Sequence, residues 1–232
     1  MQRAYALYCL ILFTVLVTIT LLVNMFVPGL RRRRQVAGAF SRGFLRAARI
    51  PFTVRGKERL PRVPCVVVAN HASYLDGVIA IAALPPEFAF VIKKEMVRVP
   101  LASLLLRRLG SEFVERFNRH KGAADARRVL RVALTGQSLV FFPEGTFDES
   151  RGIRRFMGGA FATAHRSRMP LVAVAIHGSR RVLPPGGLMI YRHPICVEIL
   201  DVFDVADAGE TRRRSRELIA LALGESLAPD GL

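Results

Sequence analysis

Lysine is scarce in this 232-residue chain: only Lys57, Lys93, Lys94 and Lys121, so arginine supplies 31 of the 35 basic residues. Acidic residues are also few, 18, which leaves a formal net charge of +17. A surface this basic is drawn to anions, either nucleic acid or the negatively charged face of a membrane. Cysteine is limited to Cys9, Cys65 and Cys196, with no metal-ligand spacing and an odd total. That argues against a disulfide framework and for a reducing compartment around the folded part. There is no internal repeat and no low-complexity linker. No aromatic-interleaved strand platform or nucleic-acid motif accompanies the charge, so no nucleic-acid partner is expected.

Charge is missing altogether between Ala4 and Leu30. As a helix, Tyr5–Val27 would be roughly 35 Å long, enough to cross a bilayer. A cleaved signal peptide fits poorly, because the apolar part is long, lacks a clear small-x-small site and is followed by basic residues. Being apolar all round, the segment does not read as an amphipathic core helix. A re-entrant or monotopic insertion stays open, since Asn24 and Pro28-Gly29 would disrupt one end. If it spans, Arg31–Arg34 with Arg42, Arg46 and Arg49 outweigh Arg3 and place the body on the cytoplasmic side of a bacterial inner membrane. The Arg31–Arg49 stretch would then lie against anionic headgroups. The expected organisation is a membrane anchor over 1–30, a basic juxtamembrane helix over 31–50, with Gln35–Ile50 helical, and one domain over 51–232.

That domain alternates short apolar runs with helical periodicity. Strands are expected at Cys65–Ala69, Phe88–Ile92, Ser111–Val114, Ser138–Phe142, Leu171–Ile176 and Ile195–Phe203. Helices are expected at Tyr74–Ala83, Leu101–Leu109, Ala123–Leu134, Phe156–Arg168 and Thr211–Leu227, the last capped by Thr211 or Glu210. The pattern predicts an α/β fold with a mostly parallel central sheet flanked by helices, behind an N-terminal membrane helix.

Three constellations carry chemistry. Asn70-His71-Ala72-Ser73-Tyr74-Leu75-Asp76 begins where the first apolar strand stops, and ligands collect at carboxyl ends of strands in open α/β sheets. A His there with an Asp five residues on can form a base and its orienting partner. The competing reading is a capping box, Ser73-x-x-Asp76, with His71 a bystander. Phe142-Pro143-Glu144-Gly145-Thr146 ends a second apolar strand, with Pro halting the ladder and Gly allowing close backbone approach. By itself such a sequence is an ordinary turn. Lys93-Lys94 and Gly110-Ser111-Glu112-Phe113-Val114-Glu115-Arg116 offer cations for a phosphate, Arg116 by paired hydrogen bonds. Each could equally be solvated.

In this order and spacing the motifs resemble the PlsC-type glycerophospholipid acyltransferase family, which includes the 1-acyl-glycerol-3-phosphate acyltransferases. The resemblance runs from about Arg49 to Phe203. It implies His71 as general base and Asp76 as its partner. Lys93, Lys94, Phe113, Arg116, Glu144, Gly145 and Thr146 would bind the acceptor, and Leu171–Ile176 would lie near the acyl pocket. It implies a lysophospholipid acceptor, a thioester donor carried by coenzyme A or acyl carrier protein, an anionic membrane as partner, and no metal or resident cofactor. The chain departs from the pattern at Phe147, where Arg is common, at the acids Asp148 and Glu149, and at Met157, where Lys is common. Losing a cation should weaken a dianionic acceptor such as lysophosphatidic acid, unless Arg151, Arg154 or Arg155 compensates. No Gly-x-Ser-x-Gly elbow surrounds Ser73, so a serine nucleophile is not expected. The rival readings are an acyl-thioesterase and a non-catalytic basic lipid-binding membrane protein.

Overall fold

The computed structural model describes residues 1–115, 119–147, 152–187 and 189–228. Seven strands form one sheet in the order β1-β7-β6-β2-β5-β3-β4. In chain order they are β1 (Phe52–Arg55), β2 (Val66–Ala69), β3 (Phe88–Lys93), β4 (Glu112–Val114), β5 (Ser138–Phe141), β6 (Leu171–His177) and β7 (Ile195–Phe203). Every neighbouring pair is parallel except β6 with β7. The continuous apolar runs follow from burial on both faces. Val67, Val140, Val172 and Val174 point into one core with Ile79 of α3 (Asp76–Ala83). Their neighbours Val66, Val68, Leu139 and Leu171 point into a second, with Val129 of α5 (Arg119–Leu134), Phe161 of α6 (Gly159–Ser167) and Ile219 of α8 (Ala208–Leu223). The remaining helices are α1 (Gln2–Phe26), α2 (Leu30–Ala47), α4 (Pro100–Arg108) and the single turn α7 (Ser179–Val182).

Three expectations change at this level. The edge strand β1 was not foreseen. Only four residues long, it alternates half-buried and exposed positions and takes its register from β7. Helix α8 starts earlier than expected, and its cap is Asp207, whose carboxylate accepts the N–H groups of Gly209 and Glu210 at 2.6 and 2.9 Å. That is the usual work of an N-cap carboxylate. Helix α2 starts at Leu30, so the arginine run is its first turn.

The arginine run does not all face outward. Arg34 is buried, and its guanidinium donates to the carbonyls of Leu109, Pro86 and Glu87 and to the Gln137 side chain. Arg42 donates to Ala82 O at 3.1 Å. These two therefore fasten α2 to the α/β body, where a membrane-facing role had been expected of the whole stretch.

Helix α1 is long and apolar enough to cross a membrane. One side of it nevertheless packs on the protein: Phe13 meets Phe44 edge to face at 5.3 Å, and Ala6, Cys9 and Leu21 are buried. At its start Gln2 donates to Ile190 O at 2.9 Å and Tyr5 Oη to Ala48 O at 2.8 Å. At its end Arg108 donates to the carbonyls of Asn24 and Met25 at 2.8 and 2.6 Å, closing groups that a helix terminus leaves open. The opposite side, including Leu7, Ile11, Val15, Leu22 and Phe26, is exposed.

Candidate active site

Strand β2 ends at Ala69, and the next residue fixes the geometry of the rim. Asn70 is buried and grips the backbone of β6, accepting Ile176 N–H at 2.7 Å and donating to Ile176 O at 3.1 Å. His71 follows. Its Nδ1 lies 2.9 Å from Asp76 Oδ2, and the same oxygen accepts the backbone N–H groups of Ala72 and Ser73 at 2.7 and 2.8 Å. Asp76 is fully buried at the first position of α3, while the His71 side chain keeps 19% exposure. The capping box does not form as expected: Asp76 opens α3 behind Leu75, and Ser73 Oγ accepts from Leu75 N–H instead of from Asp76 N–H. Only its return bond is present, with Asp76 Oδ2 closing the turn onto Ser73 N–H while it holds the imidazole. A carboxylate accepting Nδ1–H fixes the tautomer with Nε2 as the available base. Among the described residues Nε2 has no hydrogen-bond partner.

The ring is wedged between aromatics. Phe142 stacks on it at 4.6 Å with a 25° interplanar angle, and Phe147 meets it edge-on at 4.5 Å. Tyr74 packs against Phe147 at 4.8 Å. Sequence reasoning gave Phe142 and Phe147 no contact with the ring. Their only signal was adjacency to Pro143–Thr146.

Glu144 is brought to the same place by the turn after β5, in which Gly145 N–H returns to Phe142 O and Gly145 adopts φ +78°. Only 8% exposed, Glu144 accepts His71 N–H on Oε1 at 2.7 Å and Arg154 N–H on Oε2 at 2.9 Å. Burial pushes its carboxyl up to about 7; the two backbone donors oppose this and the nearby Asp76 charge adds to it. A carboxyl with a raised folded-state pKa stabilises the fold at low pH and loses that contribution as pH rises through about 7. Wild type should therefore gain on Glu144→Gln as pH falls from 7 toward the ordinary glutamate value, by on the order of 2 to 3 kcal/mol. Melting temperatures of both proteins across that window check this; a difference that does not vary with pH would contradict it.

The other expected site residues divide. Lys93 and Gly145 line the cavity described next, with His71. Thr146 and Lys94 are exposed. Phe113 is half-buried under the Arg107 guanidinium at 5.2 Å, and its carbonyl accepts from Arg128, which also binds Glu112 and Asp125. Arg116, Asp148, Glu149 and Arg151 lie outside the described residues. Ser73 is buried, its hydroxyl donating to Leu183 O and accepting from Leu75 N–H, which leaves it no nucleophile's exposure.

A cavity of about 380 Å³ opens at the imidazole. Phe13, Leu16, Val17 and Thr20 of α1 and Phe40 and Phe44 of α2 form one wall; α3, β3 and α4 supply most of the rest, with Phe142, Gly145 and Phe147 beside His71 at the rim. It extends to Ala37, Ile81, Phe90 and Leu109, beside the amino-terminal half of β3 and so away from the rim that carries His71. Such a volume and lining suit a small or slender apolar ligand.

The family model for acyltransferases matches residues 51–177, more than half of the chain. The chain belongs to the acyltransferase family. Among curated relatives it is 34% identical over 141 residues to the lyso-ornithine lipid O-acyltransferase of Pseudomonas aeruginosa, covering 59% of this chain and 52% of that one. It is 28% identical over 142 residues to a chloroplastic 1-acyl-sn-glycerol-3-phosphate acyltransferase of Brassica napus, covering 60% and 41%. It is 30% identical over 173 residues to human 1-acyl-sn-glycerol-3-phosphate acyltransferase beta, covering 73% and 62%. The chain thus spans less than two thirds of the length of each of these relatives. The crystal structure of the 1-acyl-sn-glycerophosphate acyltransferase PlsC from Thermotoga maritima shares the fold, with a TM-score of 0.81 over 95% of this chain and 94% of that one at 20% identity.

Proposed function

We propose that the protein transfers a fatty acyl group from a thioester, on coenzyme A or acyl carrier protein, to the free hydroxyl of a lysophospholipid. The observation that carries this reading is the His71–Asp76 pair at the mouth of an apolar cavity walled by the membrane-type helix α1. The acceptor hydroxyl gives its proton to His71 Nε2 as its oxygen attacks the thioester carbonyl. The carbon–sulfur bond then breaks, and the imidazolium returns the proton to the departing thiolate. Asp76 stabilises the imidazolium in between. The acyl chain lies in the cavity, and the lipid acceptor arrives from the bilayer in which the outer side of α1 rests. Excess arginine after α1 supports a domain on the cytoplasmic side of an inner membrane.

Phe147 packs on His71 where the resembled motif commonly carries Arg, and the lyso-ornithine relative shows that acceptors in this family are not confined to phosphomonoesters. The acceptor class is lysophosphatidic acid or a related lysolipid. The test is a product assay in detergent with a panel of lysolipids and both donor types. Diacyl product supports acyl transfer. Free fatty acid alone would make the protein a thioesterase, and lysolipid retention without turnover would make it a binding protein.

The cavity also sets a chain-length prediction. Ala37→Leu adds bulk at the end remote from His71. It should shift the ratio of kcat/KM for long over short acyl donors by roughly tenfold toward the short ones. An unchanged ratio would remove the acyl chain from this cavity.

A further inference from the structure

The family match stops at residue 177, yet the outermost support of the imidazole comes from beyond it. Glu144 holds two backbone donors, His71 N–H and Arg154 N–H. The stretch that presents Arg154 N–H is itself clamped by the C-terminal part of the chain. Ile153 N–H donates to Ser226 O at 2.9 Å, and Ala228 N–H donates back to Ile153 O at 3.0 Å, making a parallel bridge between Ile153 and Leu227. Arg216 of α8 then spans both strands of this bridge. Its Nε donates to Arg154 O at 3.0 Å, and its Nη2 donates to Ile153 O at 2.9 Å and Ala228 O at 2.6 Å. The backbones are pressed together: Gly152 stands at φ +97°, and a Cβ there would meet Ser226 O at 2.8 Å.

We propose that Arg216 is a positioning residue that acts on His71 through the Ile153–Arg154 backbone and Glu144. The guanidinium fork fixes several acceptors in one geometry, which a flexible ammonium does less well. Carbonyls on both sides of the Arg154 N–H are set by it. That N–H sets one oxygen of a buried carboxylate, and the other oxygen sets the backbone N–H of His71. Arg216 holds the Ile153–Arg154 backbone by two hydrogen bonds, and each later link is a single hydrogen bond between buried or half-buried groups, so slack introduced at one end is passed to the other. Misplacement by about 1 Å at a reacting group can cost up to roughly a hundredfold in rate.

The inference rests on His71 being the base, so the experiment separates the two. Full-length protein in detergent is assayed with the lysolipid and thioester that turn over fastest in the panel above. The variants are Arg216→Gln, Arg216→Lys, Glu144→Gln, the Arg216→Gln/Glu144→Gln pair, and His71→Ala. Arg216→Gln should lower kcat by roughly ten- to a hundredfold with KM nearly unchanged, and Arg216→Lys should recover part of the loss. In the Glu144→Gln background the same change at Arg216 should cost less than about twofold, because the link it acts through is already cut. A purely structural arginine would cost the same factor in both backgrounds, and that result, or full kcat in Arg216→Gln, overturns the proposal. If Arg216→Gln does not fold, Arg216→Lys carries the same cycle. Turnover in His71→Ala at the wild-type rate would instead remove the base assignment beneath it.

Discussion

His71→Ala should lower the proposed acyl transfer by about two to four orders of magnitude while the protein still folds and still binds membranes. The size follows from the role proposed for the imidazole: it would remove the hydroxyl proton as the carbon–oxygen bond forms, and general-base help has that typical magnitude. Folding should survive, because the His71 side chain is partly exposed and its main contacts are aromatic faces and Asp76. Its backbone N–H bond to Glu144 persists in the variant, since alanine keeps that donor. Initial rates with the preferred lysolipid, set beside a melting curve and vesicle flotation, check all three parts. Wild-type rates in the variant would remove His71 from the chemistry.

Asp76→Asn should be the other large loss, and unlike His71→Ala it should show in both activity and stability. Asp76 Oδ2 accepts from Nδ1 of His71 and from two backbone N–H groups, all inside a fully buried turn. An amide oxygen could keep those three bonds but carries no charge to balance the imidazolium. Its NH₂ would take the position of Oδ1, which has no partner among the described residues, and would bury donors without acceptors. We expect a fall in kcat of at least about a hundredfold, together with about 1–3 kcal/mol of lost stability from the unsatisfied amide. Chemical denaturation and steady-state rates measured on the same preparation test this. Loss of stability with normal turnover would reduce Asp76 to the carboxylate that closes the Ala72–Ser73 turn.

The parts of this molecule that were legible in its sequence share a physical cause. Cys65–Ala69 and Leu171–Ile176 read as strands because burial on both faces demands an unbroken apolar run, and both sit centrally in the sheet. His71 and Asp76 read as a pair because one local turn brings them together. The edge strand β1 did not, since only its pairing with the distant β7 makes it a strand. That Glu144 sits on a turn beside His71 was legible, but its contact was not: it binds His71 through a backbone N–H, and every residue but proline has one. Arg34 and Arg42 looked like surface charge because sequence does not show the carbonyls that receive them. The cavity was illegible for a related reason. Its walls come from α1, α2, α3, β3, α4 and the turn after β5, and no single segment carries its outline.

The exposed apolar flank of α1 invites removal by anyone seeking a water-soluble catalytic fragment. Deleting the helix would strip Phe13, Leu16, Val17 and Thr20 from the cavity wall. The trimmed protein would then leave the proposed acyl site open to water along one whole side. On the proposed reading, anchor and reaction vessel are the same piece of polypeptide, and a fragment freed from lipid should be a poor catalyst even with every rim residue in place.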